Sequence, residues 1–315
     1  MTKPRLLLTA LVATLCLSGS SAFAGGEGWT ADYKGAQTQA AEQSKDLLLD
    51  FTGSDWCGWC IRLNNEVFSQ DGFKSYADEN FVLVELDFPN DKSKLSEQTQ
   101  AQNEELRKRF EIGGYPTVYL ADESGKPYAI TGYQRGGPEA YVEHLKELKQ
   151  KRVMRDKHMA QAKSAEGIKK AKHLHAAMQA VGDDIAIQHY KEAVAQIIEL
   201  DADNQAGLKK HYVDVQTAKA QEIALWKIMR MARQDPNAAL VTINELINDP
   251  ATITPVLQNA LAFKSRIYLL MIKDRPAAEA PLRKAIAVDP DSERAVALKR
   301  ELEHLFGGDD AKATD

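Results

Sequence analysis

Cysteine is scarce in this chain of 315 residues: Cys16, Cys57 and Cys60 are all there are. A framework of several structural disulfides is therefore excluded. Positive charge is not in excess either. Forty Lys and Arg stand against 45 Asp and Glu, a net of −5, and no basic stripe interleaves with aromatics, so nothing points to nucleic acid. Long apolar runs are missing after the first two dozen residues. None approaches the roughly 18 residues a membrane-crossing helix needs.

What is present begins with a leader pattern. Lys3 and Arg5 precede an apolar stretch from Leu6 to Leu17, and Ala22-Phe23-Ala24 offers small residues where a signal peptidase reads. We expect residues 1–24 to be a cleaved signal peptide and the product to be soluble, periplasmic or secreted. Leu15 stands directly before Cys16, where a lipoprotein would carry a small residue, so lipidation is not expected. Without the leader, 38 basic residues face 45 acidic ones, a net of −7, and Cys57 and Cys60 are the only cysteines. An oxidising compartment permits thiol–disulfide chemistry without fixing its direction.

Composition changes near residue 150. Before it, strand-like runs (46–51, 80–88, 116–121, 128–132) alternate with helix-like stretches (33–44, 57–68, 71–77, 95–110, 138 to about 158). Asp122-Glu123-Ser124-Gly125 between the last two strands predicts an antiparallel hairpin. The pattern fits an α/β domain with one open sheet. From about 155 to 306 the reading is helical throughout. Helices end at Asp201, Asp249 and Asp289, 48 and 40 residues apart, a loose punctuation that suits a degenerate tetratricopeptide-like repeat or an ordinary bundle. The expected division is thus 25–152, 153–306 and a disordered polar tail over 307–315. Trp226, Met229 and Met231 fall at helical spacing and read as core.

The chemistry lies in Trp56-Cys57-Gly58-Trp59-Cys60. Thiol exchange needs one thiolate to attack and a second thiol to resolve the mixed disulfide. A cysteine at a helix start faces unpaired N–H groups and the positive end of the dipole, which lower its pKa. Cys57 is so placed, and Cys60 lies one turn on along the same face. Cys57 is expected to attack and the more buried Cys60 to resolve. Two other readings compete. A zinc site would need further ligands, but the nearest histidine in sequence is His144, and His173 and His175 diverge on a helix. A structural disulfide would close too short a loop to constrain the unfolded chain much. Neither a metal nor a bound cofactor is expected beyond a redox-active Cys57–Cys60 pair.

These residues carry a resemblance. Asp50-Phe51, the Trp-Cys-Gly-Trp-Cys motif, and Ile112-Gly113-Gly114-Tyr115-Pro116-Thr117 about 55 residues later, followed by a hairpin and a helix, resemble the thioredoxin fold. The likeness spans roughly 29–148 and is similar in flavour to secreted thioredoxin-like proteins and to the reductase domain of the DsbD type. It implies a cis Tyr115–Pro116 bond, with Tyr115 pairing an extended substrate segment beside Cys57. Asp50 resembles the buried aspartate that relays protons to the resolving cysteine. It stands one residue farther from Cys57 than in thioredoxin, and no lysine is evident on the next strand (81–87), so a purely structural aspartate remains the alternative. Strong oxidants of this fold carry histidine where Trp59 stands. A neutral indole stabilises the attacking thiolate less, which implies the reducing end of a range of roughly −120 to −270 mV. Trp56 and Trp59 could also contact an unfolded substrate, with one of them packed over the disulfide.

The expected function is an exported protein-disulfide oxidoreductase, more reductase than oxidase, needing protein thiol substrates and a recycling partner. An isomerase or oxidase, or a helical adaptor with a redox-sensing domain, are the alternatives. The helical part could hold a protein partner in a groove, on fold analogy alone.

Overall fold

The computed structural model describes Gly26 and residues 28–307; the leader and nearly all of the tail expected from 307 lie outside the described residues. The described residues form two compact units: one runs to Ala160 and takes in Ala176–His189, the other combines Gln161–His175 with the chain from Tyr190.

The first unit is built on five strands, β1 (Trp29–Thr30), β2 (Asp46–Thr52), β3 (Phe81–Asp87), β4 (Thr117–Ala121) and β5 (Pro127–Thr131), in the order β1-β3-β2-β4-β5. β1, β3 and β2 run parallel, while β4 pairs antiparallel with β2 and β5 with β4. Between them lie α1 (Tyr33–Gln43), α2 (Gly58–Leu63), α3 (Asp71–Asn80), α4 (Glu97–Arg109) and α5 (Gly137–Lys163). This mixed sheet flanked by helices is the α/β thioredoxin-like architecture that the motif order implies.

Every residue of β2 and β3 is buried, so these strands read as near-continuous apolar runs rather than alternations. Their two faces nevertheless differ. Leu47, Leu49, Phe51, Val82, Val84 and Leu86 join Tyr33, Ala36 and Ala40 of α1 and Leu106 of α4 in one apolar core. The opposite parity carries Asp46, Asp50, Thr52, Glu85 and Asp87. Burying one such phenylalanine or leucine is worth about 1.5–3 kcal/mol. The acids on the other face need partners or protons instead.

Asp46 finds partners. It accepts from Tyr128 Oη (2.7 Å) and pairs with Arg152 of α5. Arg155, buried on the same helix, reaches Asp122 at 2.9 Å. Asp122 in turn shapes the β4–β5 hairpin by accepting from the backbone of Ser124 and Lys126. These pairs hold the helix past residue 152, so the boundary expected between 152 and 153 falls inside α5. After α6 (Gly167–Val181), α7 (Asp183–His189) also belongs to the first unit: His189 packs on Phe110 and Tyr119, with ring centroids 5.1 and 5.9 Å apart, and its carbonyl accepts from Lys126 Nζ.

The second unit contains α8 (Lys191–Leu200), α9 (Leu208–Ala232), α10 (Pro236–Asn248), α11 (Thr254–Arg266), α12 (Arg275–Val288) and α13 (Glu293–Phe306). Asp201, Asp249 and Asp289 each stand at a helix C-cap. The carboxylate of Asp201 takes the backbone N–H groups of Ala206 and Leu208, turning the chain into α9. Ile228 of α9, Ile243 of α10 and Ile267 after α11 share one core; Leu261, Leu282 and Leu298 share another. Trp226 is largely exposed, against its reading as core; Leu225 and Ile228 are the buried residues of that turn of α9.

Candidate active site

Strand β2 delivers the chain to the dithiol through Thr52-Gly53-Ser54-Asp55-Trp56. Each residue of this approach after Gly53 is tied to the segment that leaves β3. Ser54 donates its N–H and hydroxyl to the Asp87 carboxylate (2.9 and 2.6 Å). Asp55 accepts from the backbone of Asn90 and Asp91 and from Lys94 Nζ (2.9, 3.3 and 3.0 Å), bonds that hold its carboxyl below the usual carboxylate range. Trp56 donates Nε1–H to the Phe88 carbonyl (2.8 Å). Gly53 is required by close approach: a Cβ there would meet the Trp56 ring at 2.5 Å.

Cys57 is the N-cap of α2 and forms a disulfide with Cys60, with Cα atoms 5.2 Å apart. Its sulfur also accepts the Cys60 N–H at 3.2 Å. In the reduced state the same N–H would stabilise a Cys57 thiolate. Burial does not separate the two residues as expected: Cys57 is 6% exposed and Cys60 4%. What separates them is where they stand. Cys57 caps the helix, whereas Cys60 lines a small cavity of about 90 Å³ with Asp50, Thr52, Ser54, Asn64 and Glu85. Asn64 enters because α2 gives way after Leu63 to a π-helical turn, Asn64–Phe68, a distortion common at functional sites.

Asp50 is buried, and its Oδ1 has no hydrogen-bond partner. Burial first, then the charges of Glu85 and Asp87, push its carboxyl well above the usual range. Tyr141 of α5 is buried as well; desolvation and then the Asp50 charge raise its phenol.

The Tyr115–Pro116 bond is cis. Thr117 pairs with Phe51, so this dipeptide arrives at the end of β2 from which the approach to Cys57 departs. Tyr115 packs edge-on against Trp56 (5.6 Å) and also meets Phe88 (5.4 Å). Trp59 points elsewhere. Half-exposed, it packs on Tyr133 (5.2 Å) with the Arg62 guanidinium 5.7 Å from both rings. Tyr133 and Arg62 share Glu66 as acceptor. Sequence reading missed Glu85, Asn64, Tyr133 and the Asp87 tether. The available signal was Glu85 itself, a charge inside an apolar run of strand length.

A dithiol capping a helix beside a cis-proline strand, with a buried acid behind the second sulfur, is an arrangement for thiol–disulfide exchange. Residues 33–149 match the family described as a thioredoxin-like domain. The disulfide bond reductase DsbH of Chlamydia pneumoniae is 36% identical over 114 residues, 36% of this chain and 68% of that protein. The thiol:disulfide interchange protein DsbD of Actinobacillus pleuropneumoniae is 32% identical over 96 residues, 30% of this chain but only 15% of its own length. Among solved structures, a DsbH oxidoreductase aligns at 30% identity and a TM-score of 0.37, covering 47% of this chain and 94% of that one. The chain belongs to the thioredoxin-like family of thiol–disulfide oxidoreductases. The helical unit lies beyond residues 33–149.

Proposed function

We propose that this protein is exported and reduces disulfides in other proteins through Cys57 and Cys60. The carrying observation is the Cys57–Cys60 pair at the N-terminus of α2, with Tyr115–Pro116 at the adjoining strand end. In the reduced form the Cys57 thiolate attacks one sulfur of a substrate disulfide. That S–S bond breaks, the departing sulfur takes a proton, and a mixed disulfide remains on Cys57. Cys60 then loses its proton and attacks Cys57 Sγ, expelling the second substrate thiolate, which is protonated in turn. Two electrons and two protons have passed to the substrate, and a dithiol donor must restore the enzyme.

Two features support the reductive direction. The residue between the cysteines is a neutral indole already engaged with Tyr133. A relative at 36% identity carries the name of a reductase. The buried acid behind Cys60 accepts its proton on resolution and returns it in the reverse step, so it serves either direction. Export rests on the leader pattern in residues 1–24. Tyr115 and Trp56 are the residues we assign to holding the substrate segment, with Pro116 at the start of the pairing strand.

The test is the equilibrium reduction potential in glutathione and dithiothreitol buffers, read by Trp fluorescence. A value near about −250 mV or lower supports a reductase, and one near about −150 mV makes the protein an oxidase or isomerase. Cys57→Ser separates catalysis from an adaptor role: disulfide reduction is lost, whereas partner binding by a non-enzymatic adaptor would survive.

A further inference from the structure

Beneath α2 the sheet carries a second carboxylate that a single proton acceptor does not require. Asp50 and Glu85 are paired positions on adjacent parallel strands. Their side chains therefore leave the same face with backbones about 4.8 Å apart. Both are buried, and both line the cavity that Cys60 also lines. Asp50 Oδ1 and Asn64 Oδ1 have no hydrogen-bond partner there.

Neighbouring elements bring further groups toward Asp50. β3 adds Asp87, whose carboxylate is occupied by Ser54. α2 adds Cys60. α5 adds the Tyr141 hydroxyl, which is buried without a hydrogen-bond partner. On β4 the residue opposite Asp50 is Val118, which carries no charge.

We propose that Glu85 is a positioning residue for the proton step at Cys60: it forms a proton-sharing pair with Asp50 and so makes Asp50 the base that receives the Cys60 proton. The inference rests on the dithiol function proposed above. Two carboxylates at paired strand positions lining one small buried cavity do not ionise independently, and the pair holds its last proton more tightly than either would alone. A thiol proton leaving Cys60 then finds an acceptor whose affinity approaches that of the thiol. Transfer of that proton to Asp50 leaves the electron pair on Cys60 Sγ. That sulfur forms the bond to Cys57 Sγ while the bond from Cys57 to the substrate sulfur breaks. Burial pushes Asp50 up by itself, and the Glu85 charge is the next largest cause. Without that charge the acceptor is weaker.

The experiment follows the Asp50 carboxyl-carbon chemical shift against pH in the full oxidised chain, wild type and Glu85→Gln. In parallel, Cys57 of the reduced proteins is loaded with thionitrobenzoate, and the release of that group by Cys60 is timed across pH. In Glu85→Gln the Asp50 midpoint is expected to fall by at least about one pH unit, and the midpoint of the release rate to fall with it. An Asp50 midpoint that stays in place overturns the pairing. A midpoint that moves while the release profile does not overturns the role at Cys60. Wild type alone gives a check that needs no variant. Coupled carboxyls each report both titration steps, and a single independent step in each carbon would refute the pair. If wild type never releases thionitrobenzoate, the dithiol function itself fails, while the Asp50 titration still decides the pairing.

Discussion

Replacing Asp50 by asparagine should stabilise the fold, by an amount that grows with pH. The carboxyl is raised in the folded state by burial and then by Glu85 and Asp87. Below the ordinary carboxylate pKa of about 3.9 it is protonated in both states, and Asp and Asn behave alike. Above that value the unfolded chain sheds the proton while the folded chain keeps it. The group's contribution to stability is therefore complete below the unfolded pKa and is lost as pH rises toward the folded one. Each pH unit in that window costs wild type about 1.4 kcal/mol that the variant does not lose. The assay is urea unfolding of the oxidised proteins at several pH values between about 4.5 and 7. Trp226 lies in the other unit and is exposed, so Trp226→Phe in both proteins lets fluorescence report the first unit alone. A difference between variant and wild type that is flat across this range would mean that Asp50 ionises as an ordinary surface carboxyl. The account of the cavity would then fall, and the proton-sharing pair with it.

Three further substitutions probe how the site is held. Asp87→Ala removes the acceptor for the Ser54 N–H and hydroxyl, at a cost of about 1–3 kcal/mol in denaturant unfolding; no loss would mean that this tether does not hold the approach to Cys57. Gly53→Ala drives a methyl group into the Trp56 ring, and should change Trp fluorescence and slow disulfide reduction without altering the far-UV spectrum. Unchanged kinetics would remove Trp56 from the substrate-binding surface. Tyr128→Phe leaves Asp46 with one donor fewer beneath α5, for about 1–3 kcal/mol of stability and no change in reduction potential; a shifted potential would show that the sheet's far end reaches the dithiol.

The sequence was most legible where local signals and tertiary demands agreed. Cys57 at a helix start, the Asp122–Gly125 turn and the Tyr115-Pro116 entry to β4 each depend on residues close in the chain. Legibility ended where the deciding partner was distant. β1 is two residues long and exists only because β3 offers it an edge. The π turn after Leu63 is invisible in a pattern that reads as one helix over 57–68. The boundary near 152 follows a change in composition, whereas the structure follows Arg155 to Asp122 and His189 to Phe110, contacts that a run of helix-forming residues does not announce.

Glu85 shows why the chemistry was harder to read than the fold. Lysine is the residue expected beside a buried aspartate in this architecture, and the sequence shows only that none is present in 81–87. Which residue takes that place depends on register: Asp50 opposes Glu85 only if Asp46 opposes Phe81. A slip by one residue would put Leu86 or Val84 there and turn the acid toward the other face. Because all seven residues of β3 are buried, alternation cannot fix that register, and the apolar partners of Val82, Val84 and Leu86 in the opposite core must do so. Those contacts oblige the odd-numbered residues to take the opposite face, where Glu85 lines the cavity with Cys60. The packing of one face of the sheet thus determines the sign of the charge behind the dithiol on the other.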